Sequence, residues 1–500
     1  MLSQLPILPV LVPLLAAPAC LLIRRPRSAW LFATAVAAVT FALTVQLFLR
    51  VAEDGVLSYA LGGWPPPWGI EYRIDSLNAL VLLVVTAIAA VVLLGAHGSI
   101  CREVPADRIG LFYVAFLLCL AGLLGILATG DAFNLFVFLE ISSLSTYAMV
   151  ALGRDRRALV SAFNYLVMGT IGATFILIGI GFLYMLTGTL NMLDLAQRLP
   201  GVGRSYTEFS AYAFIVVGVC LKLALFPLHF WLPGAYTYAP SIVTAFLAAT
   251  STKVAVYVLV RFSFTVFRVE FSIMALSLQS LLMTLGLLAI VVGSLVAIYE
   301  ADIKRAIAYS SVAQIGYLVV GIGLGTVAGL QASLIHLFNH ALMKGALFLA
   351  LTAFIYRLGS SRVKHLANVG HRMPLTTAAF TIAGLSLIGM PGTAGFVSKW
   401  YLVMAAIDSG QWWVAALVVM GSLLSIVYIW RVVEIAYFPT LEGGAGSTID
   451  ATASGPEAPR LLLCALWILA LGNLYFGLFA DLPVDTAGRA AATVMEADMP

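Results

Sequence analysis

The stretch CLKLALFPLHFWLPGAYTYAP, residues 220–240, places a lysine and a proline-rich interruption inside an otherwise apolar run. The interruption consists of Pro227, Pro233 and Gly234, which follow Lys222. Proline removes a backbone donor and clashes with the preceding turn, so a helix through this stretch should kink or unwind. Such a break is tolerated at membrane depth only where it is buried in protein or lines water. The stretch therefore predicts a broken membrane helix with a lysine beside the break.

The composition assigns the whole chain to a membrane. It is 62% hydrophobic and 10% charged over 500 residues, which is too little polar material to cover a water-soluble protein of that size. Apolar runs of roughly 18 to 30 residues, long enough to span a bilayer as helices, recur from end to end. We therefore predict an all-α polytopic protein of the cell membrane, with about fourteen transmembrane helices, at 6–23, 29–49, 76–96, 110–128, 131–151, 160–187, 211–231, 241–262, 273–299, 306–324, 327–356, 374–405, 412–438 and 460–480.

Other classes of protein lack support in the sequence. The cysteines are scattered without CxxC spacing, so they predict neither a metal site nor a disulfide framework. We find no cofactor motif and no soluble domain, and the longest polar pieces, 50–75 and 440–459, are rich in Gly and Pro and are expected to be loops. The first apolar run lacks a basic leader and a cleavage site, so we expect it to be retained as a helix. The expected partners are the lipid bilayer and other membrane proteins, and not nucleic acid.

The basic residues predict the orientation. If the chain starts outside, fifteen Lys and Arg residues fall in inner loops and seven in outer loops or the tail, as the positive-inside rule requires. Both termini are then expected on the outer side. The inner set is Arg24, Arg25, Arg27, Arg102, Arg108, Arg154, Arg156, Arg157, Lys304, Arg305, Arg357, Arg362, Lys364, Arg372 and Arg460, and the outer set is Arg50, Arg73, Arg198, Arg204, Arg261, Arg268 and Arg489.

Ionisable side chains also lie inside the predicted helices. A charge at the centre of a membrane helix costs about 2.5 to 3.5 kcal/mol on insertion scales. Fixed structural ion pairs would have matched signs, but here the cations outnumber the one anion. A lysine whose counter-charge approaches and leaves can load and release a proton. We therefore predict proton transfer by these residues: Glu140, Lys222, Lys253, His336, His340, Lys344 and Lys399.

Three of these residues are spaced i, i+4 and i+8. His336, His340 and Lys344 therefore lie along one face of one helix, over about 12 Å. Histidine titrates near neutral pH, so this face could relay protons. Metal binding is the competing use of the two histidines, but no third ligand accompanies them. A sodium site cannot be assigned from the sequence.

A second interrupted helix indicates an internal repeat. The stretch GLSLIGMPGTAGFVSKW, residues 384–400, places Gly389, Pro391, Gly392 and Gly395 before Lys399. A broken helix with a nearby lysine thus occurs in spans 7 and 12, five spans apart, so the second copy must be inverted. We expect N-terminal helices 1–3 at 1–109, a first repeat of spans 4–8 at 110–262, a second repeat of spans 9–13 at 273–438, and a loop, helix 14 and short outer tail at 439–500.

Six motifs together resemble the antiporter-like subunits shared by respiratory complex I, membrane-bound hydrogenases and multisubunit Na+/H+ (Mrp-type) antiporters. The resemblance covers nearly the whole chain and is strongest over 70–440. The motifs are FLEISSLSTY around Glu140, KLALFPLHFWLPGAYTYAPS from Lys222, TKVAVYVLVR around Lys253, ADIKRAIAYSSVAQIGY from Ala301, HLFNHALMKGALFL from His336 and PGTAGFVSKW to Lys399.

The resemblance implies a fold and roles for these residues. It implies fourteen helices with two inverted repeats, a Glu140–Lys222 pair in the first repeat, a central bridge of Lys253 and the histidine helix, and Lys399 as the terminal carrier of the second repeat. Related complex I subunits usually have an aspartate where this chain has Gly234. In this difference and in its length, the chain is most similar to the D-type component of Mrp antiporters. That similarity implies that its partners are other membrane subunits of a hetero-oligomeric complex, together with H+ and Na+. A proton-pumping subunit of a complex I-like oxidoreductase or a hydrogenase is the alternative, and an inert assembly subunit is a third possibility.

Overall fold

The computed structural model describes residues 4–203, 205–268, 271, 278–438 and 457–495. Its α-helices are α1 (Leu8–Leu21), α2 (Pro26–Asp54), α3 (Ser76–Glu103), α4 (Ile109–Ala128), α5 (Ala132–Ala151), α6 (Arg157–Thr187), α7 (Met192–Val202), α8 (Tyr206–Leu223), α9 (Trp231–Tyr238), α10 (Ser241–Ala249), α11 (Ser251–Val260), α12 (Leu278–Tyr299), α13 (Ile303–Gly323), α14 (Val327–Leu358), α15 (Val369–Arg372), α16 (Pro374–Ile388), α17 (Ala394–Asp408), α18 (Trp412–Tyr437), α19 (Arg460–Leu478) and α20 (Asp481–Met495).

The all-α polytopic membrane fold predicted from composition is confirmed. Within the described residues, 12 helices are long and apolar enough to span a membrane. Two predicted spans correspond to shorter apolar helices: the first to α1, and the twelfth to α16 followed by α17. Helices α2, α6, α18 and α19 are well under half buried, as expected for helices that face hydrocarbon.

Three segments outside the predicted spans have regular structure that the sequence analysis did not anticipate. The polar piece 50–75 contains an antiparallel hairpin of β1 (Leu57–Ala60) and β2 (Glu71–Ile74). Helix α7 follows α6, and α20 lies in the predicted tail, where it packs on α3 and α14. Residues 440–456 of the loop expected at 440–459 lie outside the described residues. The start of the predicted second repeat, 273–277, also lies outside them.

Helix α14, the longest helix among the described residues, lies at the centre of the bundle. It packs against α3, α10, α13, α16, α17, α19 and α20. Its side chains are buried from Ala332 to Ala341 and again from Met343 to Phe354. The polar face predicted from His336 to Lys344 is therefore enclosed by protein on this central helix and not exposed to lipid.

The first of two matching turns lies next to the hairpin. The amide of Ala132 donates to the carbonyl of Leu190 at 2.8 Å, and the amide of Met192 donates to that of Gly130 at 2.8 Å. These bonds join the start of α5 to the loop after α6. The amide of Gly130 also donates to the carbonyl of Glu71 at 2.7 Å, which ties the turn to β2. We call this surface the hairpin face.

The second turn repeats the pattern far along the chain. The amide of Ile303 donates to the carbonyl of Ser361 at 2.9 Å, and the amide of Val363 donates to that of Ala301 at 3.0 Å. These bonds join the start of α13 to the loop after α14, as in the first turn. This turn borders a cavity of about 510 Å³ lined by Arg154, Arg305, Arg362 and other charged side chains. We call this surface the basic face.

Helices α6 and α8 approach closely at a pair of glycines. A Cβ on Gly218 would lie 2.5 Å from the carbonyl oxygen of Gly172 and 2.8 Å from Cγ1 of Ile176. These contacts leave no room for a side chain, because one of them is backbone. The close approach brings the C-terminal half of α8, which carries Lys222, against α6.

We predict that Gly218→Ala destabilises the protein, whereas Gly181→Ala does not. Overpacking a tight contact costs about 1 to 3 kcal/mol, but a Cβ on Gly181, also in a helix, would meet nothing within 4 Å. The test is thermal unfolding of the purified variants in detergent. Equal melting temperatures for the two variants would contradict the close packing of α6 on α8.

Candidate functional site

Glu140 and Lys222 form a loose pair between α5 and α8. The Nζ of Lys222 lies 3.9 Å from Oε1 of Glu140, and it donates to Oγ of Ser143 at 2.8 Å and to the hydroxyl of Tyr147 at 3.5 Å. Among the described residues, Oε1 of Glu140 has no hydrogen-bond partner. Glu140, Ser143 and Tyr147 share one face of α5 by their i, i+3, i+7 spacing. The carboxylate thus attracts the ammonium group without a direct hydrogen bond.

The predicted break after Lys222 is present. Helix α8 ends at Leu223, Ala224 has a left-handed backbone with φ of 58°, and α9 begins at Trp231. Nε1 of Trp231 donates to the carbonyl of Leu221 at 2.9 Å. Pro227 lies between the two helices. A side chain at the start of α9 therefore bonds the last turn of α8, and this hydrogen bond stabilises the break.

Three of the residues cited for the two breaks lie in the helices that follow the breaks. Pro233 and Gly234 lie within α9, after the interruption of span 7. Proline is accepted in the first turn of a helix because no intrahelical partner exists there for its missing N–H. Gly395 likewise lies in α17, after the break in span 12.

A small cavity with both polar and apolar walls lies beside Lys222. It has a volume of about 40 Å³, and its polar lining residues are Lys222, Ser142, Ser143, Thr146 and Ser251, whereas apolar residues such as Val219 and Val254 form the rest. A cavity of this size with several polar lining residues can hold a water molecule, which needs only about 10 to 15 Å³ of such volume and two or more polar partners. Ser251 begins α11, the helix of Lys253. The cavity therefore extends from Lys222 to the first turn of the helix that carries Lys253.

Lys253 is completely buried and bonds backbone oxygen. Its Nζ donates to the carbonyl of Ala248 at 2.5 Å and lies 3.4 Å from the hydroxyl of Thr252. Span 8 is interrupted at Thr250, where φ is −126° and ψ −59°, and this break was not predicted. Since the helix is interrupted within the four residues after Ala248, that carbonyl is available to the lysine.

The two histidines of α14 are stacked. The ring centroids of His336 and His340 are 5.8 Å apart and the rings are within 9° of parallel. Nδ1 of His336 shares a hydrogen bond of 2.9 Å with Oγ of Ser398. Among the described residues, Nε2 of His336 and both nitrogens of His340 have no hydrogen-bond partner. Buried polar atoms normally have hydrogen-bond partners, so we expect water molecules to bond these nitrogens.

Gln314 is a polar residue that the sequence analysis missed. It is fully buried on α13, and neither its side-chain oxygen nor its nitrogen has a partner among the described residues. It lies between Ser310 and Tyr317, which contact Lys344 and His336 of the neighbouring α14. Gln314 is thus placed along the same stretch of α14 as His340. Its polarity inside an apolar run was the available signal.

Lys344 and Lys399 also bond neutral oxygen atoms. Nζ of Lys344 donates to the carbonyl of Ile307 at 2.8 Å and to Oγ of Ser310 at 2.6 Å. Nζ of Lys399 donates to the carbonyls of Leu387 and Ile388 at 2.8 and 3.0 Å, which end α16 just before the break at 389. Free carbonyls at a helix C-terminus stabilise a cation.

These acceptors leave the charge of each amine free to change. A carbonyl or hydroxyl oxygen accepts a hydrogen bond from a neutral amine as well as from an ammonium group. Lys253, Lys344 and Lys399 have such partners, and none of them forms an ion pair within the described residues. His340 is stacked on His336 and lies one helical turn before Lys344 on the same face of α14. The arrangement can therefore hold a proton on one of these groups, and that positive charge disfavours protonation of the neighbouring group.

The structure brings together most, but not all, of the predicted site residues. Glu140 and Lys222 are paired, and the histidines are stacked. Ser251, two residues before Lys253, lines the cavity beside Lys222, and Ser398, the residue before Lys399, bonds His336. No group of three or more His, Cys, Asp or Glu side chains that could hold a metal occurs in the part of the chain that the structure describes.

Two buried charged groups were misplaced by the sequence analysis. Arg261, expected in an outer loop, forms an ion pair of 2.8 Å with Asp75, and each side chain is 9% exposed. Lys304, expected in an inner loop, is 4% exposed. Both lie at helix ends, where tertiary packing covers side chains that the chain position alone would leave in water.

The comparisons agree with this architecture. The family described as NADH:quinone oxidoreductase/Mrp antiporter, TM, matches residues 129–425. The chain belongs to this family. It is 42% identical over 494 residues to the N-type component of NADH-quinone oxidoreductase of Desulforudis audaxviator, covering 96% of this chain and 97% of that protein. It is 30% identical over 497 residues to the D-type component of the Na(+)/H(+) antiporter of Bacillus subtilis, covering 98% and 97%.

A solved structure is similar over the full length. A chain in the structure of the Mrp complex from Dietzia sp. DQ12-45-1b superposes with a TM-score of 0.89 at 26% identity, covering 99% of this chain and 98% of that one. The protein is thus an antiporter-like membrane subunit of the type found in Mrp antiporters and complex I, and its partners are other membrane subunits. Membership of the D-type group, predicted from Gly234 and the length, is not established by these matches.

We predict that water reaches His340. In a background in which the native cysteines are replaced by alanine, His340→Cys should react with a small methanethiosulfonate cation. Phe338→Cys should not react, because Phe338 lies about 160° around the same helix and packs on Phe476. Labelling of membranes, read by gel shift, is the measurement. Failure of the His340→Cys variant to react, or equal reaction of both variants, would contradict a hydrated histidine face.

Proposed function

We propose that this chain translocates protons within a multisubunit membrane complex. One observation carries the proposal: three buried lysines, Lys253, Lys344 and Lys399, bond neutral oxygen atoms and not carboxylates. A structural lysine at membrane depth is best neutralised by a fixed anion, because an unpaired charge is costly there. A lysine that must lose and regain a proton is better served by an acceptor that suits both states.

The proposed route follows the row of polar groups. A proton held on Lys222 passes by way of water in the small cavity beside it, and past Ser251, to Lys253. From there it moves along the histidine face of α14, His340 and then His336, to Lys399, with water at the unpartnered ring nitrogens. Lys344 joins the same face from its other end. A proton on one group disfavours protonation of the groups near it, because like charges repel. Protons therefore move along the row one at a time.

Glu140 is proposed to act as the movable counter-charge. At 3.9 Å it stabilises the protonated form of Lys222, and withdrawal of the carboxylate favours release. Each pKa unit is worth about 1.36 kcal/mol. A change of a few units in the pKa of Lys222 is therefore comparable to the roughly 2.3 kcal/mol per charge that a membrane potential of 100 mV supplies. Such a pair can couple proton movement to another ion or to a partner subunit.

The two predicted repeats are proposed to be two half-channels. Their matching turns, at Ala132 and at Ile303, make the same pair of backbone bonds on opposite faces of the bundle. Two copies of one unit in inverted orientation would place them in this way. The first unit then opens to one side of the membrane and the second to the other. The outer position of both termini remains part of the proposal.

Two kinds of complex are candidates. The Mrp-type Na+/H+ antiporter, with this chain as its D-type component, is supported by the Bacillus subtilis antiporter relative and by the full-length overlay on a chain of an Mrp complex. A complex I-like redox-driven pump is supported by the 42% identity to the NADH-quinone oxidoreductase relative. In either complex this chain would carry protons without a redox centre of its own.

We predict that Lys222→Ala and Lys399→Ala abolish transport by the assembled complex, and that Glu140→Ala reduces it about tenfold or more, equivalent to at least 1.36 kcal/mol. Lys364→Ala, at an exposed lysine of the basic-face loops, is the matched control and should transport normally. The measurement is proton movement in everted vesicles, with complex assembly checked by pull-down. Normal transport by assembled Lys222→Ala would refute the carrier role, and loss of assembly in all site variants would support the inert assembly subunit.

The partner subunits separate the two complexes. Purification of the tagged chain in mild detergent should recover only membrane subunits if the complex is an antiporter, and proton movement should then depend on Na+. Recovery of subunits with iron–sulfur or flavin absorption, with proton movement driven by an electron donor and independent of Na+, would replace the antiporter by the redox-driven pump.

A further inference from the structure

We infer that Lys304 is the residue that loads protons into the second unit from the basic face. This inference deepens the proposed function and rests on it. Lys304 is the second residue of α13, a position that the positive-inside rule explains without special function. Its burial, its hydrogen bond and the cavity beside it are not explained by that rule.

Lys304 is buried but lies in the wall of a large open cavity. Its exposed fraction is only 4%, and Nζ donates to the carbonyl of Ala239 at 2.6 Å. Ala239 follows the last residue of α9, so the ammonium group sits at the C-terminus of the short helix in the break of span 7. Both residues line the cavity of about 510 Å³ on the basic face. Water in the cavity can therefore reach the lysine.

The acids near Lys304 are already engaged. Glu103 of α3 and Asp302 line the same cavity as Lys304. Glu103 accepts from the amide and hydroxyl of Ser241 at 2.8 and 2.9 Å, and Asp302 accepts from the hydroxyl of Ser361 at 2.5 Å. The direct partner of Lys304 is thus a neutral carbonyl, as for the three lysines of the proposed route.

The remaining charges of the cavity occur in pairs or at its edge. Arg305 pairs with Glu300 at 3.1 Å, and Arg157 pairs with Asp155 at 2.6 Å. The hydrogen bond from Arg157 holds the pKa of Asp155 below its ordinary value. Other lining cations are Arg102, Arg154 and Arg362. The fixed arginines do not exchange protons, so Lys304 is the lining base suited to this task.

Helix α13 connects Lys304 to the proposed route. Ile307 and Ser310, whose oxygens hold the Nζ of Lys344, follow Lys304 by three and six residues. At 1.5 Å per residue they lie about 4.5 and 9 Å further along the axis. One helix thus carries the basic-face lysine at its start and the oxygen partners of a buried lysine one to two turns later.

Three substitutions of Lys304 test the inference in the purified complex. Lys304→Met removes the exchangeable group. Lys304→Arg keeps the charge and a donor but does not release a proton, and Lys304→His restores an exchangeable group of lower pKa, about 6.5 against 10.4 in model peptides. Arg362→Gln removes another cation from the same cavity and is the control. Proton transport is measured in proteoliposomes as a function of pH on the basic face, driven by the ion or electron donor that the co-purification identifies.

The expected result separates proton loading from packing. Lys304→Met and Lys304→Arg should each transport about tenfold more slowly or worse, Lys304→His should recover activity with its profile moved to lower pH, and Arg362→Gln should match the parent. Parental rates in Lys304→Met or Lys304→Arg would overturn the inference. Lys344→Ala and Lys399→Ala are run alongside: if these also transport normally the proposed function fails, whereas if they are inactive and Lys304→Arg is normal, only the loading role of Lys304 fails.

Discussion

A buried ammonium group must be surrounded by oxygen atoms, and this requirement shapes the centre of the molecule. An α-helix uses its own carbonyls internally, so a continuous membrane helix has few to offer. Helix interruptions and helix ends supply most of them here: Ala248 to Lys253, Leu387 and Ile388 to Lys399, and Ala239 to Lys304. Lys344 instead bonds Ile307 within α13. The broken helices are therefore part of the lysine sites. They are not isolated irregularities of the backbone.

Lys222 is the exception, and the contrast is informative. It has a carboxylate within 3.9 Å and bonds hydroxyl groups instead of backbone carbonyls. Its electrostatic environment can change when Glu140 moves, whereas backbone carbonyls are fixed dipoles. Glu140 is also the more exposed member of the pair, at 28% against 11% for the lysine. In the proposed function the first unit therefore contains the adjustable step, and the second unit contains fixed relay positions.

The sequence singled out the ionisable side chains inside the helices but not the polar groups around them. Charged and imidazole side chains inside apolar runs are visible at once, because hydrocarbon penalises them. Hydroxyl groups carry little penalty, so Ser143, Ser310 and Ser398 could not be singled out among many similar residues. The break at Thr250 was missed for a similar reason, since it contains neither proline nor glycine. Proline predicted a break in span 7 but not its limits, because Pro233 is accepted in the first turn of α9.

The sequence alone determined that the chain is a helical membrane protein with ionisable residues at membrane depth, since hydrophobic length and the cost of buried charge are local properties. It also set the spacing of His336 and His340 on one face, which follows from helical periodicity. Only the tertiary structure decided which oxygen atoms each lysine bonds, that Lys304 and Arg261 are buried, and that α20 packs on the central helix. Those facts depend on contacts between helices far apart in the chain, and no local pattern encodes them.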